Sequence, residues 1–346
     1  MRRATIKDIA SEVGVSHTTV SYVLNGNSNQ KISEKTREAV LSAAKKLNYV
    51  PNETARSLRR DSTECIAVAL EKSITHGRFS RILQGIREEL NKEGYGLLLM
   101  DFHTEKNKKN PAYLESVLQQ RTDGIIYISS DGQPPVCSRK IEKHKVPFVG
   151  CDCCPNEESL HSVSFDYEQG SFDIACRLFG EGAKKIMYWQ PDVDTLQEQY
   201  RINGLKKACA LYPDTTLEIC KMPLPNYSPS QEHAININDT CRQSLAQCVL
   251  PKLTKYAEKD AVICRWGIMV SHLCSALYHN NSKQIKIALL SDSEIPMIPD
   301  LKILASRPGF VRGGKECVKL LLSQIRNEKT TKQVVLAPEP PTYISY

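Results

Sequence analysis

The first fifty residues carry a pattern of helix starts and stops that strongly limits the fold. Thr5 is placed as an N-cap with Asp8 as the acid three residues on, and apolar residues then recur at helical spacing. Gly14 ends this helix, because a left-handed C-terminal residue is least costly as glycine. Ser16 caps a second helix over 17–24. Two short helices joined by a tight turn containing glycine predict a helix-turn-helix, whose second helix enters the DNA major groove.

The predicted second helix has one apolar and one polar face. Its apolar face, directed at the core of the module, is formed by Val20, Val23 and Leu24. Its polar face can hydrogen-bond base edges or phosphates, unless it is merely a solvated surface, and consists of His17, Thr18, Ser21 and Tyr22. Ser33 caps a third helix, and its expected buried stripe is Val40, Leu41, Ala44 and Leu47.

The charge of the chain is concentrated in this module. Residues 1–60 hold eleven Lys and Arg against five Asp and Glu, which is +6 of the formal net charge of +7. A basic module on a nearly neutral body is typical of a protein that meets a polyanion at one end.

Residues from 65 onward alternate short apolar runs with helical patterns. The predicted strands are 65–70, 95–100, 124–128, 147–151, 163–165, 185–189, 261–265 and 286–290. Helical patterns lie between them, as in 79–94 and 170–182. This alternation predicts parallel sheets that are covered by helices on both faces. Eight or more strand–helix units exceed the usual size of one sheet, so two Rossmann-like lobes are expected. The cleft between the lobes is the expected ligand site.

The headpiece sequence ATIKDIASEVGVSHTTVSYVLNG, followed by ISEKTREAVLSAAKKLNYVPNETARSLRR, resembles the lactose-repressor (LacI/GalR) family along its whole length. The resemblance implies a hinge helix whose leucine wedges into the minor groove at the operator centre; the alternative for this leucine is packing against the core. The DNA-binding residues expected from the pattern and the resemblance together are Thr5, Ser16, His17, Thr18, Ser21, Tyr22, Asn25, Asn52, Ala55, Arg56 and Leu58. The family usually has Arg where this chain has Tyr22.

The core resembles the same family, with the fold of type I periplasmic binding proteins, through QGIREELNKEGYGLLL, RTDGIIYISS, VPFVGCD, SVSFDYEQGS and YRINGLKKA. Matching the family's ligand contacts position by position gives three candidates, Phe79, Asp152 and Arg201. The family's Asn-Pro before the first of these is replaced by Gly77-Arg78, and its later polar anchors by Trp266-Gly267 and by Ser291 followed by Asp292. The expected effector-binding set is Phe79, Asp152, Arg201, Trp266 and Ser291.

The nature of the effector stays open at this stage. An indole at Trp266 can stack on a sugar ring or a nucleobase, so a carbohydrate-type effector, another small molecule and no dedicated effector are all compatible with the sequence. Arg201 could instead form a structural salt bridge, and Asp152 could cap a loop. The sequence fits both a repressor that the ligand releases from DNA and a repressor whose DNA binding the ligand promotes.

Thirteen scattered cysteines and the lack of a signal-like apolar start favour a reducing cytoplasm and free thiols, and no membrane partner is expected. Cys151, Cys153 and Cys154 form a cluster that could sense oxidants or bind a metal, but no second C-x-x-C completes a four-ligand set, so buried structural thiols are favoured. No catalytic motif and no cofactor-binding motif is found.

The sequence therefore predicts a homodimeric repressor of a metabolic operon that binds double-stranded palindromic DNA and a small-molecule effector. The expected boundaries are 1–50 for the headpiece, 51–62 for the hinge helix and linker, and 63–346 for the core, with one lobe over about 63–161 and 293–325 and the other over about 162–292 and 326–346. A thiol- or metal-responsive regulator and an effector-independent one are the alternatives. A cytoplasmic solute-binding protein leaves the first sixty residues unexplained, and a nucleoid-type architectural protein leaves the large core unexplained.

Overall fold

The computed structural model describes residues 4–25, 31–50, 62–70, 77–101, 110–153, 160–224, 237–279, 285–293, 295 and 301–344. The chain divides into two compact units, Met1–Thr63 and Glu64–Tyr346. None of the helices in these described ranges is long and apolar enough to cross a membrane.

The first unit is a three-helix module made of α1 (Ile6–Val13), α2 (His17–Leu24) and α3 (Glu34–Lys46). Thr5 and Asp8 form a reciprocal capping box, and Gly14 ends α1 with a φ of 71°, as the sequence predicts. The helices pack around Ile9, Val20 and Val40.

One part of the predicted α3 stripe is wrong. Leu41 is 49% exposed, and Ala43, which was not in the predicted stripe, is buried. Ala44 and Leu47 pack against the core as predicted. Helical spacing counted from Val40 puts positions 43, 44 and 47 on one face, so Leu41 lies outside the buried stripe.

The second unit contains two six-stranded sheets. The first sheet is parallel throughout and has the order β11-β5-β4-β3-β1-β2. Its strands are β1 (Cys65–Leu70), β2 (Gly96–Asp101), β3 (Gly124–Ile128), β4 (Phe148–Cys151), β5 (His161–Phe165) and β11 (Gln333–Leu336). The helices that cover it are α4 (Gly77–Lys92), α5 (Ala112–Leu118), α6 (Ser138–Lys143) and α12 (Phe310–Ile325).

The second sheet has the order β12-β10-β9-β8-β6-β7, and only the β10–β12 pairing is antiparallel within the described chain. Its strands are β6 (Lys185–Pro191), β7 (Thr216–Met222), β8 (Ala261–Cys264), β9 (Lys286–Leu289), β10 (Ile303–Ala305) and β12 (Thr342–Ile344). Its helices are α7 (Tyr167–Gly180), α8 (Leu196–Leu211), α9 (Ile237–Ser244), α10 (Leu250–Leu253) and α11 (Gly267–His279), with a π-helical segment, Leu245–Val249, joining α9 to α10.

Each lobe has a helix pair that approaches closely at a glycine. In the first lobe, a Cβ on Gly85 of α4 would lie 2.0 Å from the carbonyl oxygen of Val311 on α12. In the second, a Cβ on Gly204 of α8 would lie 2.1 Å from the carbonyl oxygen of Glu168 on α7. A larger residue at either position would push the helices apart.

The predicted lobe boundaries need three corrections. Strand β5, placed mainly in the second lobe by the boundary at 161/162, belongs to the first sheet, and β11 also belongs there rather than to the second lobe. Strand β10, placed in the first lobe by the 293–325 segment, belongs to the second sheet. The chain thus crosses between the lobes after β5, between β10 and α12, and between β11 and β12. Strands β10, β11 and β12, with three or four residues each, are not among the predicted strands, and the sheet that each one joins depends on these crossings.

Candidate functional site

Helix α2 of the first unit presents the side chains predicted to read DNA. His17, Thr18 and Asn25 are exposed, whereas Ser21 and Tyr22 are half-buried. The amide of Asn25 donates to the Ser21 hydroxyl at 3.2 Å, so these two side chains support each other at the end of the helix.

Two of the predicted DNA-binding residues, Thr5 and Ser16, cap the N-termini of α1 and α2 with their side chains. Ser16 Oγ accepts from the Thr19 backbone N–H at 3.1 Å, and Thr5 is bonded to Asp8 through both its backbone and its hydroxyl. Lys46 on α3 forms a 2.6 Å ion pair with Glu12 on α1, which ties the outer helices together. The Ser16 cap fixes where α2 begins, so it positions the polar face of that helix. The predicted hinge residues Asn52, Ala55, Arg56 and Leu58 lie outside the described residues.

A cleft of about 640 Å³ opens between the two lobes of the second unit. The first lobe lines it with the start of α4 and the residue Ser130 after β3, and the second with the segments that follow β6, β8 and β9. All of these segments follow the carboxyl ends of parallel strands, which is the usual position of a ligand site in open α/β folds.

Three of the five predicted effector-binding residues line this cleft: Phe79, Trp266 and Ser291. Phe79 is nearly all buried in the first lobe's core, with the guanidinium of Arg78 4.7 Å from the centre of its ring. Trp266 is half-buried against the core of the second lobe, and the Ser291 hydroxyl lies 2.7 Å from that of Ser293.

The other two predicted residues, Asp152 and Arg201, are buried in a polar network behind the cleft surface. Arg78 donates to Asp152 Oδ2 at 2.6 Å, and its other terminal nitrogen donates to the carbonyls of Ser129 and Ser130 at 3.3 and 3.2 Å. Tyr167 donates to the same Asp152 oxygen at 3.0 Å. Burial raises the pKa of the Asp152 carboxyl above its ordinary range, and Arg78 opposes that shift.

The backbone at Asp152 is in the left-handed region, with a φ of 55°. A non-glycine residue adopts this conformation only when its surroundings stabilise it, and such residues concentrate at functional sites. The ion pair with Arg78 and the 2.8 Å bond from the Asp152 N–H to the Val163 carbonyl are the stabilising contacts here.

The second-lobe part of the network is built from two arginines and one glutamate. The guanidinium of Arg201 lies 3.7 Å from the Tyr167 ring centre, and one of its nitrogens lies 3.7 Å from Glu198 Oε2. Arg265 donates through Nε to the same oxygen at 3.1 Å, and Tyr188 donates to the other oxygen of Glu198. Burial and the neighbouring Arg201 lower the pKa of Arg265 below its ordinary value.

Tyr167 connects the two parts of this network, through Asp152 on one side and Arg201 on the other. A second connection between the lobes lies at the start of α8. The Leu196 N–H donates to the Asp131 carbonyl at 3.1 Å. The Gln197 amide, in the orientation that satisfies both of its ends, donates to that carbonyl at 3.0 Å and accepts from the Gly132 N–H at 2.9 Å. Because α8 also carries Glu198 and Arg201, a change in the separation of the lobes would disturb the charged network.

Sequence reasoning missed three functional candidates: Arg78, Glu198 and Arg265. All three line the cleft, and all three are charged side chains with little or no exposure. A signal was present, since Arg265 ends the apolar run AVICR and Glu198 lies one helical turn before Arg201. A charged residue directly after a buried strand is a candidate for the ligand edge of the sheet.

The described part of the cysteine cluster is buried. Cys151 and Cys153 are buried, whereas Cys154 lies outside the described residues. A hydrogen bond to Cys317 and burial raise the pKa of the Cys151 thiol well above its ordinary value, which is opposite to what a reactive thiolate needs. Among the described residues, no group of three or more His, Cys, Asp or Glu side chains could hold a metal ion.

A capped helix-turn-helix in the same chain as a two-lobed α/β unit with a polar cleft defines the class of ligand-responsive DNA-binding regulators. Residues 5–52 match the model of bacterial regulatory proteins of the lacI family, and residues 63–236 match that of periplasmic binding proteins and the sugar binding domain of the LacI family. The chain belongs to the LacI family of bacterial transcriptional regulators, and it is therefore a repressor-type regulator and not an enzyme.

Curated relatives align with nearly the whole chain. The ribose operon repressor of Bacillus subtilis (strain 168) is 30% identical over 346 residues, covering 99% of this chain and 97% of that protein. The HTH-type transcriptional repressor PurR of Haemophilus influenzae (strain PittEE) is 33% identical over 331 residues, covering 94% and 92%.

Among solved structures, the lac repressor dimer bound to operator and the anti-inducer ONPF superposes with a TM-score of 0.76 at 20% identity. The match covers 99% of this chain and 98% of that one. This likeness confirms the fold class, an all-α headpiece with a two-lobed α/β core.

Proposed function

We propose that the protein is a homodimeric repressor that binds an inverted-repeat operator through α2 and changes its operator affinity when a polar small molecule occupies the cleft. The observation that carries this proposal is the coexistence of two sites in one chain. One is a capped recognition helix with an exposed polar face, and the other is a 640 Å³ cleft lined by both lobes. The cytoplasm is the proposed location, because the operator is there.

The proposed DNA contacts are those of α2 and of the hinge segment. His17, Thr18, Ser21 and Tyr22 supply hydroxyl and imidazole groups for base edges and phosphates. A dimer is proposed because one headpiece covers too little DNA for useful specificity, whereas two-fold proteins read two half-sites.

The proposed effector is a polar, carbohydrate-type molecule. The half-buried indole of Trp266 offers a surface for a sugar ring, and Glu198, Arg265 and Ser291 offer polar groups around it. Because the charged network and the start of α8 both connect the lobes, a ligand that contacts both walls shifts the population of lobe arrangements. The separation of the two hinge segments in the dimer would follow that shift.

Selection of duplexes from random DNA by the purified full-length protein tests the first half of this proposal. We expect an enriched inverted repeat, bound saturably in the presence of competitor DNA. Binding that stays proportional to total DNA, with no enriched sequence, would indicate an architectural protein.

The half-buried Tyr22 gives a more specific prediction. Replacing it by the arginine that the family usually has there, Tyr22→Arg, should add a bidentate contact to guanine and change the preferred base at one position of each half-site, with discrimination of about 1–3 kcal/mol. The same selection, run on wild type and variant, measures the change. Identical selected sequences would remove Tyr22 from the set of base-reading residues.

Thiol sensing has less support, given the buried Cys151–Cys317 contact. Operator binding measured under reductant and under peroxide distinguishes it, since the proposed function expects equal affinity.

A further inference from the structure

The two walls of the cleft differ in how their charges are paired. The first-lobe pair, Arg78 with Asp152, has one cation for one anion, and both terminal nitrogens of Arg78 are hydrogen-bonded. The second-lobe cluster has two cations, Arg201 and Arg265, for the single carboxylate of Glu198. Within the described residues, the network therefore holds one uncompensated positive charge.

That surplus charge is buried. Arg201 is 1% exposed and the side chain of Arg265 is 10% exposed. A buried charge without a counter-ion is costly, so proteins pair such charges or leave them for a ligand.

Donor groups remain available on the same two arginines. One terminal nitrogen of Arg201 is buried with no hydrogen-bond partner in the described part of the chain. Arg265 uses only Nε, bonded to Glu198, and its two terminal nitrogens make no hydrogen bond to a described residue, although Arg265 lines the cleft. A guanidinium held by its Nε offers its two terminal groups as a fork, the geometry that suits carboxylate or phosphate oxygens.

We infer that the effector carries an anionic group, a carboxylate or a phosphate, and that this group binds the guanidinium of Arg265. This inference rests on the proposed function, because it identifies the chemical class of that function's effector. A carbohydrate acid or a sugar phosphate satisfies both requirements, with its ring beside Trp266 and its anion on Arg265. The anion supplies the counter-charge that Glu198 alone does not provide.

Paired probes that differ in one charge test the inference. Isothermal titration of the full-length protein compares ribose with ribose 5-phosphate, glucose with glucose 6-phosphate, and glucose with glucuronate, while adenine serves as a neutral base. We expect at least one charged probe to bind about tenfold tighter than its neutral partner. The phosphate and carboxylate arms identify which anion the cleft takes.

Two substitutions and one control locate the effect. Arg265→Gln should reduce the preference for the charged probe to within about twofold, and Arg265→Lys, which keeps the charge but loses the fork, should give an intermediate preference. Arg139→Gln, at an exposed arginine on α6, should bind like wild type. A cooperative unfolding transition verifies the fold of each variant.

Inorganic sulfate provides a second measurement that needs no knowledge of the organic part of the effector. At constant ionic strength, replacing chloride by sulfate should raise the melting temperature of wild type and Arg139→Gln more than that of Arg265→Gln. Equal sulfate shifts in all three proteins, a neutral partner that binds as well as its charged form, or a charge preference that survives Arg265→Gln would each overturn the inference. None of these results depends on operator binding, which tests the proposed function separately.

Discussion

The two walls of the cleft use the same residue types for different purposes. On the first-lobe wall, Arg78 is paired with Asp152, whose carboxylate also accepts a hydrogen bond from the Tyr167 hydroxyl. On the second-lobe wall, Arg201 and Arg265 share Glu198 and keep donors without partners among the described residues. We therefore propose that Arg78 is structural because it has its own carboxylate, whereas Arg265, which shares Glu198 with Arg201, binds the ligand.

The largest effect on stability is expected on the first-lobe wall, where Arg78 and Asp152 are paired with each other. Asp152→Asn leaves Arg78 buried without its carboxylate, so the free energy of unfolding should fall by about 3–5 kcal/mol. Urea unfolding of wild type and variant measures this difference. A loss below about 1 kcal/mol would mean that water already screens the pair, and the two walls would then be alike.

An ion-pair cluster in the second lobe away from the cleft gives an intermediate effect. Glu181 contacts Arg177 at 2.5 Å, Lys286 at 2.7 Å and the hydroxyl of Tyr343. Although burial acts to raise it, these partners lower the pKa of Glu181 to about 2. Glu181→Gln should therefore reduce the free energy of unfolding at pH 7 by about 1–2 kcal/mol.

The effect of Glu181→Gln should depend on pH in a defined direction. The folded-state pKa lies below the ordinary value of 4.5, so the stabilisation is complete above that pH and is lost as the pH falls toward 2. Unfolding curves at pH 7 and near pH 2 should show a large and then a vanishing difference from wild type. A difference that persists in acid would mean that the loss of stability comes from packing. The ion pairs of Glu181 would then not stabilise the second lobe.

The smallest effect on stability is expected at Arg265. Arg265→Gln removes one hydrogen bond to Glu198 but also removes the repulsion between two buried guanidiniums, and Glu198 keeps Arg201 and Tyr188. The free energy of unfolding should change by less than about 1 kcal/mol in either direction. Urea unfolding of Arg265→Gln, measured together with wild type and Asp152→Asn, compares the two losses of stability directly. A loss near 3 kcal/mol would show that Arg265 is a structural partner, as Arg78 is.

Local signals in the sequence predicted the elements that local interactions determine. The headpiece helices are capped by Thr5, Ser16 and Ser33, whose hydroxyls accept hydrogen bonds from backbone N–H groups within the first turn. The central strands β1 and β3 are buried nearly throughout, so their apolar runs were recognisable. Strands β10, β11 and β12 have only three or four residues each, and the sheet that each one joins depends on the crossings between the lobes.

The candidate site was predictable only in part, for the same reason. Phe79, Trp266 and Ser291 follow strands or begin helices at the ligand edge, and the cleft contains them as expected. The pairing of Arg78 with Asp152 and of Arg265 with Glu198 joins residues 74 and 67 positions apart. Such partners depend on the order of strands in the sheets, which one sequence does not specify.

The central claim is that occupation of the cleft sets the affinity for the operator. Fluorescence anisotropy with the selected inverted repeat, measured with and without a saturating amount of the tightest-binding charged probe, tests it most directly. The account predicts a change of about tenfold in the operator Kd, in either direction, and an equal change in the probe Kd when operator is present. An operator Kd that stays constant while titration shows the cleft to be filled would contradict it.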